Sequence, residues 1–316
     1  MLTQDQMTHF NTQGYVVVPN LFPEALLGRV RMEYAQLLNT LYADWFAKGL
    51  VKTQPEQLDF GGKLQHAYEE GCDYFQPLDI SLPGNQILAD TPFHFGPAVF
   101  DMLRAEPLLD VIEQLIVPEL NSNPIQHVRL KPPVGVLTSD EVRPHIAATD
   151  WHQDRAVALE DADETDMVTC WIAITEATID NGCLQVQPKT PDQTILPHCP
   201  RTQTGIADGY VNEMSAIPLP VSAGSAVLFH PLTPHASLNN NSERFRWSFD
   251  IRFNKTGQPT GRSHFPEFIA RSRAHPQTEL HDWQVWKTMW EDTRSRLANA
   301  THTDIHRWSS DAPYCA

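Results

Sequence analysis

The spacing of apolar positions changes period at about Ile125. Before it, "LTQDQMTHFNTQGYVVVPNLFP" reads as a short helix, a glycine stop, a strand over "YVVVP" and a turn. From Glu24 to Phe46 apolar groups recur at helical spacing, at Leu27, Val30, Tyr34, Leu37, Leu38, Leu41, Tyr42 and Trp45, which predicts a long helix. Two more helices are predicted, from Pro97 to Arg104 and from Pro107 to Ile116. After Ile125, short β-like runs alternate with turn residues: "IQHVRL", "MVTCWIAIT", "CLQVQ", "SAIPLP", "SAVLFH" and "RWSFDIRF". The stretch "HDWQVWKTMWEDTRSRLANA" returns to helical spacing. There is no internal repeat and no low-complexity linker. The pattern predicts an N-terminal helical layer packed on an antiparallel double-sheet β-fold.

Composition narrows the function classes. The 316 residues, 41% of them apolar, suffice for a sizeable core. No stretch reaches the roughly 18 consecutive apolar residues that span a bilayer, and "MLTQDQMTHF" lacks the layout of a secretory signal. A formal net charge of −16 without a dense basic run argues against nucleic-acid and anionic-membrane partners. Five cysteines, at 72, 170, 183, 199 and 315, form no C-x-x-C pair, and are expected as free thiols of a cytoplasmic protein.

His152-Gln153-Asp154 places two metal-ligand types two residues apart. In a chain with 14 histidines such a triplet is expected about once by chance, and it occurs twice, again as His302-Thr303-Asp304. Context separates the copies. The second lies in a polar tail and reads as surface. The first leads into the β-rich region, where an extended backbone turns both side chains to one side. A third ligand should come from a distant strand, and "GSAVLFHPLTPHASLNNN" offers His235 and His230, the latter also readable as a simple strand cap. In "RWSFDIRF", Trp247, Phe249, Ile251 and Phe253 alternate with Arg246, Ser248, Asp250 and Arg252. Such alternation ordinarily means core on one face and water on the other. If the polar face instead looks into a barrel, an arginine there must meet an anion, because an unpaired buried guanidinium is too costly.

Two imidazoles and a carboxylate on one face of a metal, leaving open positions, are the arrangement of non-haem Fe(II) oxygenases. The chain resembles the phytanoyl-CoA dioxygenase family of Fe(II)/2-oxoglutarate-dependent oxygenases. "WHQDRAV", "TCWIAITEATIDNGCLQVQPKT" and "AGSAVLFHPLTPHASLNNNSERFRWSF" carry the likeness, with the opening segment and "VRLKPP" adding to it. The likeness weakens around 45–95 and after about 262. It implies a mainly β, α+β fold: a double-stranded β-helix (jelly-roll, cupin-like) core at 125–255, a helical support layer at 1–120 and a C-terminal loop and helix at 256–316, as a single domain over 1–316. It implies His152, Asp154 and His235 as iron ligands. It further implies Arg246 as the clamp on 2-oxoglutarate, with Arg244 as a competitor of the same strand parity. Ser237 would help hold the same carboxylate, and Trp171 would lie beside the cosubstrate. Lys63 in "GGKLQH" is similar to a family lysine near the cosubstrate, and either Gln126 or His127 would contribute a polar group.

The chain departs from the family in one loop, where "PKTP" (188–191) replaces the usual "PGSH". Asp154 is retained where halogenating relatives carry a small residue, which argues for hydroxylation or a related oxidation. The expected function is thus hydroxylation, or another C–H oxidation, of a small-molecule metabolite, with Fe(II), 2-oxoglutarate and O2, by a monomer or homodimer. The acidic loop 158–166 suggests an amine-bearing metabolite, although a solvated surface loop is the plainer reading. The alternative is a metal-binding cupin-like protein, a zinc enzyme or a binding module, for which a 2-oxoglutarate clamp has no use.

Overall fold

A computed structural model describes residues 1–72, 75–84, 86–136, 148–190, 192–201, 203–301, 305 and 307–315. His302 and Asp304, the second His-x-Asp, lie outside the described residues.

Helix α1 (Gln4–Gln13) starts in a capping box between Thr3 and Gln6 and stops at Gly14, whose φ is 80°. A side chain at Gly14 could not be accommodated, since a Cβ there would lie 2.2 Å from Thr233 Oγ1. Strand β1 (Tyr15–Val18) follows, then α2 (Glu24–Ala47). The predicted stripe of α2 buries Leu27, Val30, Tyr34, Leu38, Tyr42 and Trp45. Helix α3 (Phe60–Glu69) carries no clear sequence signal because Gly61 and Gly62 sit in its first turn, where the Asp59 side chain caps Gly62. Helices α4 (Pro97–Leu103) and α5 (Glu106–Leu115) match the predicted pair.

Strand β2 (Glu119–Lys131) begins six residues before the predicted start. Its early part is polar yet buried: Asn123 bonds Asn254 at 3.0 Å and the Thr260 carbonyl at 3.1 Å. Pro124, which has no N–H to give a neighbour, falls where the register against β10 slips. The chain continues through α6 (Asp154–Val157), β3 (Met167–Ala173), β4 (Leu184–Val186), β5 (His198–Pro200), β6 (Thr204–Ile206), β7 (Ile217–Leu219), β8 (Ala226–Phe229), β9 (His235–Ser237), β10 (Arg246–Lys255), β11 (Phe268–Ser272) and α7 (Trp283–Ala298). The antiparallel strands form one sheet in the order β1-β8-β3-β10-β2-β11, a second in the order β7-β4-β9, and a separate pair, β5-β6. This is the expected helical layer on a double-stranded β-helix.

The two faces of β10 decide where the core ends and the site begins. Trp247 and Phe249 pack on Tyr34 of α2, with ring centroids 5.1 and 5.7 Å away, and Ile251 and Phe253 join the same core. The opposite face, with Arg246, Ser248, Asp250 and Arg252, is buried as well. Alternation along this strand therefore separates an apolar core from a polar interior, not core from water. On the outer side Trp286 and Trp290 of α7 clasp Phe95, at 4.3 and 5.1 Å. Among the described residues, no helix is long and apolar enough to cross a membrane. The expectation of five free thiols fails: Cys199 and Cys315, 116 positions apart, form a disulfide, while Cys72, Cys170 and Cys183 are free. Such a pairing leaves no local spacing to read.

Candidate metal centre and cosubstrate cleft

His152 and His235 are brought together by backbone, not by chance packing. They form an isolated antiparallel bridge, each N–H donating to the other's carbonyl at 3.0 Å. Their rings lie 4.2 Å apart. Gln153 is extended, with φ −117° and ψ 134°, and Asp154 opens α6. One extended residue between the two side chains turns both to the same side, as the two-residue period requires. The ligand atoms of His152, Asp154 and His235 all lie within 4.8 Å of one another, and all three residues are buried.

The hydrogen bonds around the triad leave metal-binding atoms available. His152 Nδ1 bonds the Asp150 carbonyl at 2.8 Å and His235 Nδ1 the Thr233 carbonyl at 3.0 Å. Each Nδ1 therefore carries the proton, and each Nε2 keeps its lone pair. Burial, reinforced by His235, pushes the His152 imidazole down to about 3, so it is neutral at ordinary pH. Burial raises the Asp154 carboxyl, but Arg252, His235 and His152 outweigh it and hold the group well below the usual range. Arg252 donates to Asp154 Oδ1, whereas Oδ2, fully buried, has no hydrogen-bond partner among the described residues. An ionised, half-satisfied carboxylate facing two imidazoles is a donor set that suits a divalent cation. Gln153 is itself fixed: its amide bonds the Thr194 and Leu232 carbonyls, and its N–H donates to His198 Nε2 at 3.1 Å.

His152 and His235 share one cleft with Arg246, Arg129, Trp171 and Asp250. Arg246 is 1% exposed, with its guanidinium carbon 5.2 Å above the Trp171 ring. Burial, with Arg129 nearby, lowers its pKa to about 10. Its Nη1 reaches Ser248 Oγ at 3.1 Å, and its Nε has no partner. Arg244, the competitor, is exposed before the strand begins. Ser237 Oγ accepts the Thr149 N–H at 2.8 Å and Lys131 Nζ at 2.6 Å. Phe229 stacks on the His235 ring at 4.3 Å.

Other expected residues lie elsewhere. Gln126 has the parity of Val128 and Leu130, and its amide bonds the Ile80 carbonyl at 2.8 Å, outside the cleft. His127, of the opposite parity, pairs with Asp79 at 2.9 Å. Lys63 is spent within its own helix region, bonding the Leu58 carbonyl at 2.6 Å. His230 accepts the Leu232 N–H at 3.2 Å, the turn-capping role that was its plainer reading. The acidic loop is a surface element tied to the C-terminal tail, since Arg307 donates to both oxygens of Asp163, at 2.5 and 2.8 Å. Three participants carried no sequence assignment: Arg252 on Asp154, Arg129 in the cleft and Lys131 on Ser237. The last two were accessible by parity, because His127, Arg129 and Lys131 alternate with Val128 and Leu130 just as Arg246 and Ser248 alternate with Trp247 and Phe249.

A family model described as Phytanoyl-CoA dioxygenase (PhyH) matches residues 10–248. A probable phytanoyl-CoA dioxygenase of Caenorhabditis elegans is 26% identical over 264 residues, covering 80% of this chain and 75% of the relative. The human peroxisomal phytanoyl-CoA dioxygenase is 23% identical over 261 residues, covering 80% and 68%. Among solved structures, the non-heme monooxygenase ThoJ in its apo form aligns with a TM-score of 0.59 at 18% identity, over 93% of this chain and 98% of that one. EvdO2 from Micromonospora carbonacea var. aurantiaca, complexed with 2-oxoglutarate, aligns with a TM-score of 0.53 at 20% identity, over 81% and 92%; both show the same fold. The chain belongs to the phytanoyl-CoA dioxygenase family of iron- and 2-oxoglutarate-dependent oxygenases.

Proposed function

We propose that the protein hydroxylates, or otherwise oxidises, a C–H bond of a small-molecule metabolite, with His152, Asp154 and His235 holding the iron. The observation that carries this reading is the sharing of one cleft by the two ligand histidines and the buried, anion-seeking Arg246. When bound, iron supplies the oxidising chemistry, in which O2 and 2-oxoglutarate give succinate, CO2 and one oxygen atom for the substrate.

The chain's own groups do the rest. Burial keeps the His152 imidazole neutral, and the Nδ1 bonds orient both rings. Arg252 fixes one oxygen of Asp154 so that the other points to the centre. Arg246 takes the distal carboxylate of 2-oxoglutarate, a match of planar fork to carboxylate, with Ser237 as a second donor. Trp171 forms a wall beside it, and Phe229 keeps water from the His235 ring. Asp154 in the carboxylate position favours oxygen insertion over halide transfer. The acidic loop gives no support to an amine-bearing substrate, because Asp163 is engaged by Arg307.

The test is a metabolite screen for substrate-stimulated succinate release, preceded by an anaerobic titration of the Fe(II)-loaded protein with 2-oxoglutarate. A weak visible charge-transfer band is expected. Folded protein that gives no band favours a zinc enzyme or binding module instead.

A further inference from the structure

Ser237 is held in an unusual way for a serine. Its hydroxyl has two lone pairs and one proton. The Thr149 N–H, at 2.8 Å, takes one lone pair, and Lys131 Nζ, at 2.6 Å, takes the other. The O–H proton is the group left over, so this serine is a donor in search of an acceptor. Ser237 stands two residues after His235 on β9, which puts both side chains on one side of the strand.

Lys131 is 2% exposed. Its second partner is another neutral acceptor, the Leu238 carbonyl at 2.5 Å. It lies opposite Arg246 in the β2–β10 register. Among the described residues no carboxylate pairs with Lys131 or Arg246, and a charged ammonium at Lys131 is costly without an anion within reach. Burial first, then Arg246 and Arg129, lowers its pKa to about 6. The Asn-Gly-Cys-Leu segment explains how a lysine fits there. Gly182 has φ 86°, and a Cβ on it would sit 2.6 Å from the Leu238 carbonyl oxygen and 3.0 Å from Lys131 Cδ. The glycine leaves room for the lysine stem and for the carbonyl that receives its amine.

We propose that Lys131 is a positioning residue for the cosubstrate: by donating to Ser237 Oγ, it commits the serine hydroxyl to donate to the distal carboxylate of 2-oxoglutarate alongside Arg246. The proposal rests on the cosubstrate reading above and assigns a role to a residue that reading does not use.

The experiment is an anaerobic titration of Fe(II)-loaded protein with 2-oxoglutarate, read by the charge-transfer band and so independent of turnover. Lys131→Met and Ser237→Ala are each expected to weaken binding by about tenfold, the scale of one buried hydrogen bond. The double variant should be no weaker than either single one, because the lysine acts through the serine. Binding of 2-oxopentanoate, which lacks the distal carboxylate, should be the same in all four proteins. A wild-type band with unchanged affinity in folded Lys131→Met overturns the proposal alone, as do losses that multiply in the double variant. A silent wild type overturns the cosubstrate reading and this proposal with it. Should Lys131→Met fail to fold, the shorter and still polar Lys131→Gln must weaken 2-oxoglutarate without affecting 2-oxopentanoate; equal affinity for 2-oxoglutarate in that variant also counts against the proposal.

Discussion

Arg252 donates to one oxygen of Asp154 and leaves the other, 3.8 Å from His235 Nε2, without a hydrogen-bond partner. The pair is the electrostatic hinge of the metal centre, since neither member is more than 3% exposed. Arg252→Met removes one half of a buried ion pair and strands the other, a change that typically costs about 3–5 kcal/mol. The variant should melt well below wild type without metal, and bind Fe(II) about 10- to 100-fold more weakly. Metal titration followed by thermal unfolding checks both. An Arg252→Met protein with wild-type affinity would show that Asp154 needs no help in orientation.

Asp154→Ala should abolish succinate formation, because it removes the charged ligand, and should melt below wild type, because it strands the buried Arg252 guanidinium. Circular dichroism and a succinate assay report the two outcomes separately. A fully active variant removes Asp154 from the ligand set.

Arg246 and Arg244 share a strand parity, and burial distinguishes them. Arg246→Ala should raise the KM for 2-oxoglutarate about 10- to 100-fold, as expected for loss of a charge-assisted bond. Arg244→Ala should change it little, since that side chain is exposed. The opposite ranking moves the clamp to Arg244.

How much of this could be read from residues alone follows from what each signal depends on. The convergence of His152, Asp154 and His235 was legible because a two-residue period and the order of motifs need no knowledge of packing. Arg246 was legible as a type of residue, but its advantage over Arg244 is a matter of burial, which sequence spacing does not carry. The partner of Gln126 turns on one residue of register: its parity sends it to Ile80, on the side of the helical layer. Lys63, on a short helix, bonds a nearby carbonyl, that of Leu58. Lys131 lay within a quoted motif, and the parity rule used for β10 assigns it to the interior once β2 is known to pair there. The early part of β2 was not legible, because Asn121, Ser122 and Asn123 look like a loop until their buried partners are known.

If Lys131 positions Ser237 for the cosubstrate, 2-oxoglutarate binding should be pH-dependent. Burial, with Arg246 and Arg129, places its pKa at about 6, against 10.5 for an ordinary lysine. At pH 8 the empty site therefore holds a neutral amine. An anion bound nearby favours the charged form, so binding takes up a proton. By linkage, affinity for 2-oxoglutarate should fall as pH rises above about 6, by at most tenfold per pH unit. The same depression makes Lys131 disfavour folding as pH falls from about 10.5 towards 6, because the unfolded chain then binds the extra proton. Anaerobic affinities at pH 6.5 and 8.5 test the binding half. The slope should flatten in Lys131→Met; a slope that persists there assigns the proton to another group.

The Cys199–Cys315 disulfide anchors a tail that braces the metal-ligand segment. On that tail Trp308 stacks on His198 at 5.1 Å and donates to the Ala156 carbonyl at 2.8 Å. His198 in turn accepts the N–H of Gln153, the residue between two ligands. Closing a separation of 116 residues restricts the unfolded chain, and the loop-entropy account gives about 4–5 kcal/mol for loops of this size. Reduction should therefore lower the melting temperature by several degrees or more. Cys315→Ser should melt at the lower temperature in either condition. Because the tail touches His198 and Ala156 rather than the ligands themselves, Fe(II) affinity should fall less in Cys315→Ser than in Arg252→Met. Thiol titration before each melt establishes the redox state. Equal melting temperatures for fully oxidised and fully reduced protein would leave the crosslink without a part in holding the tail.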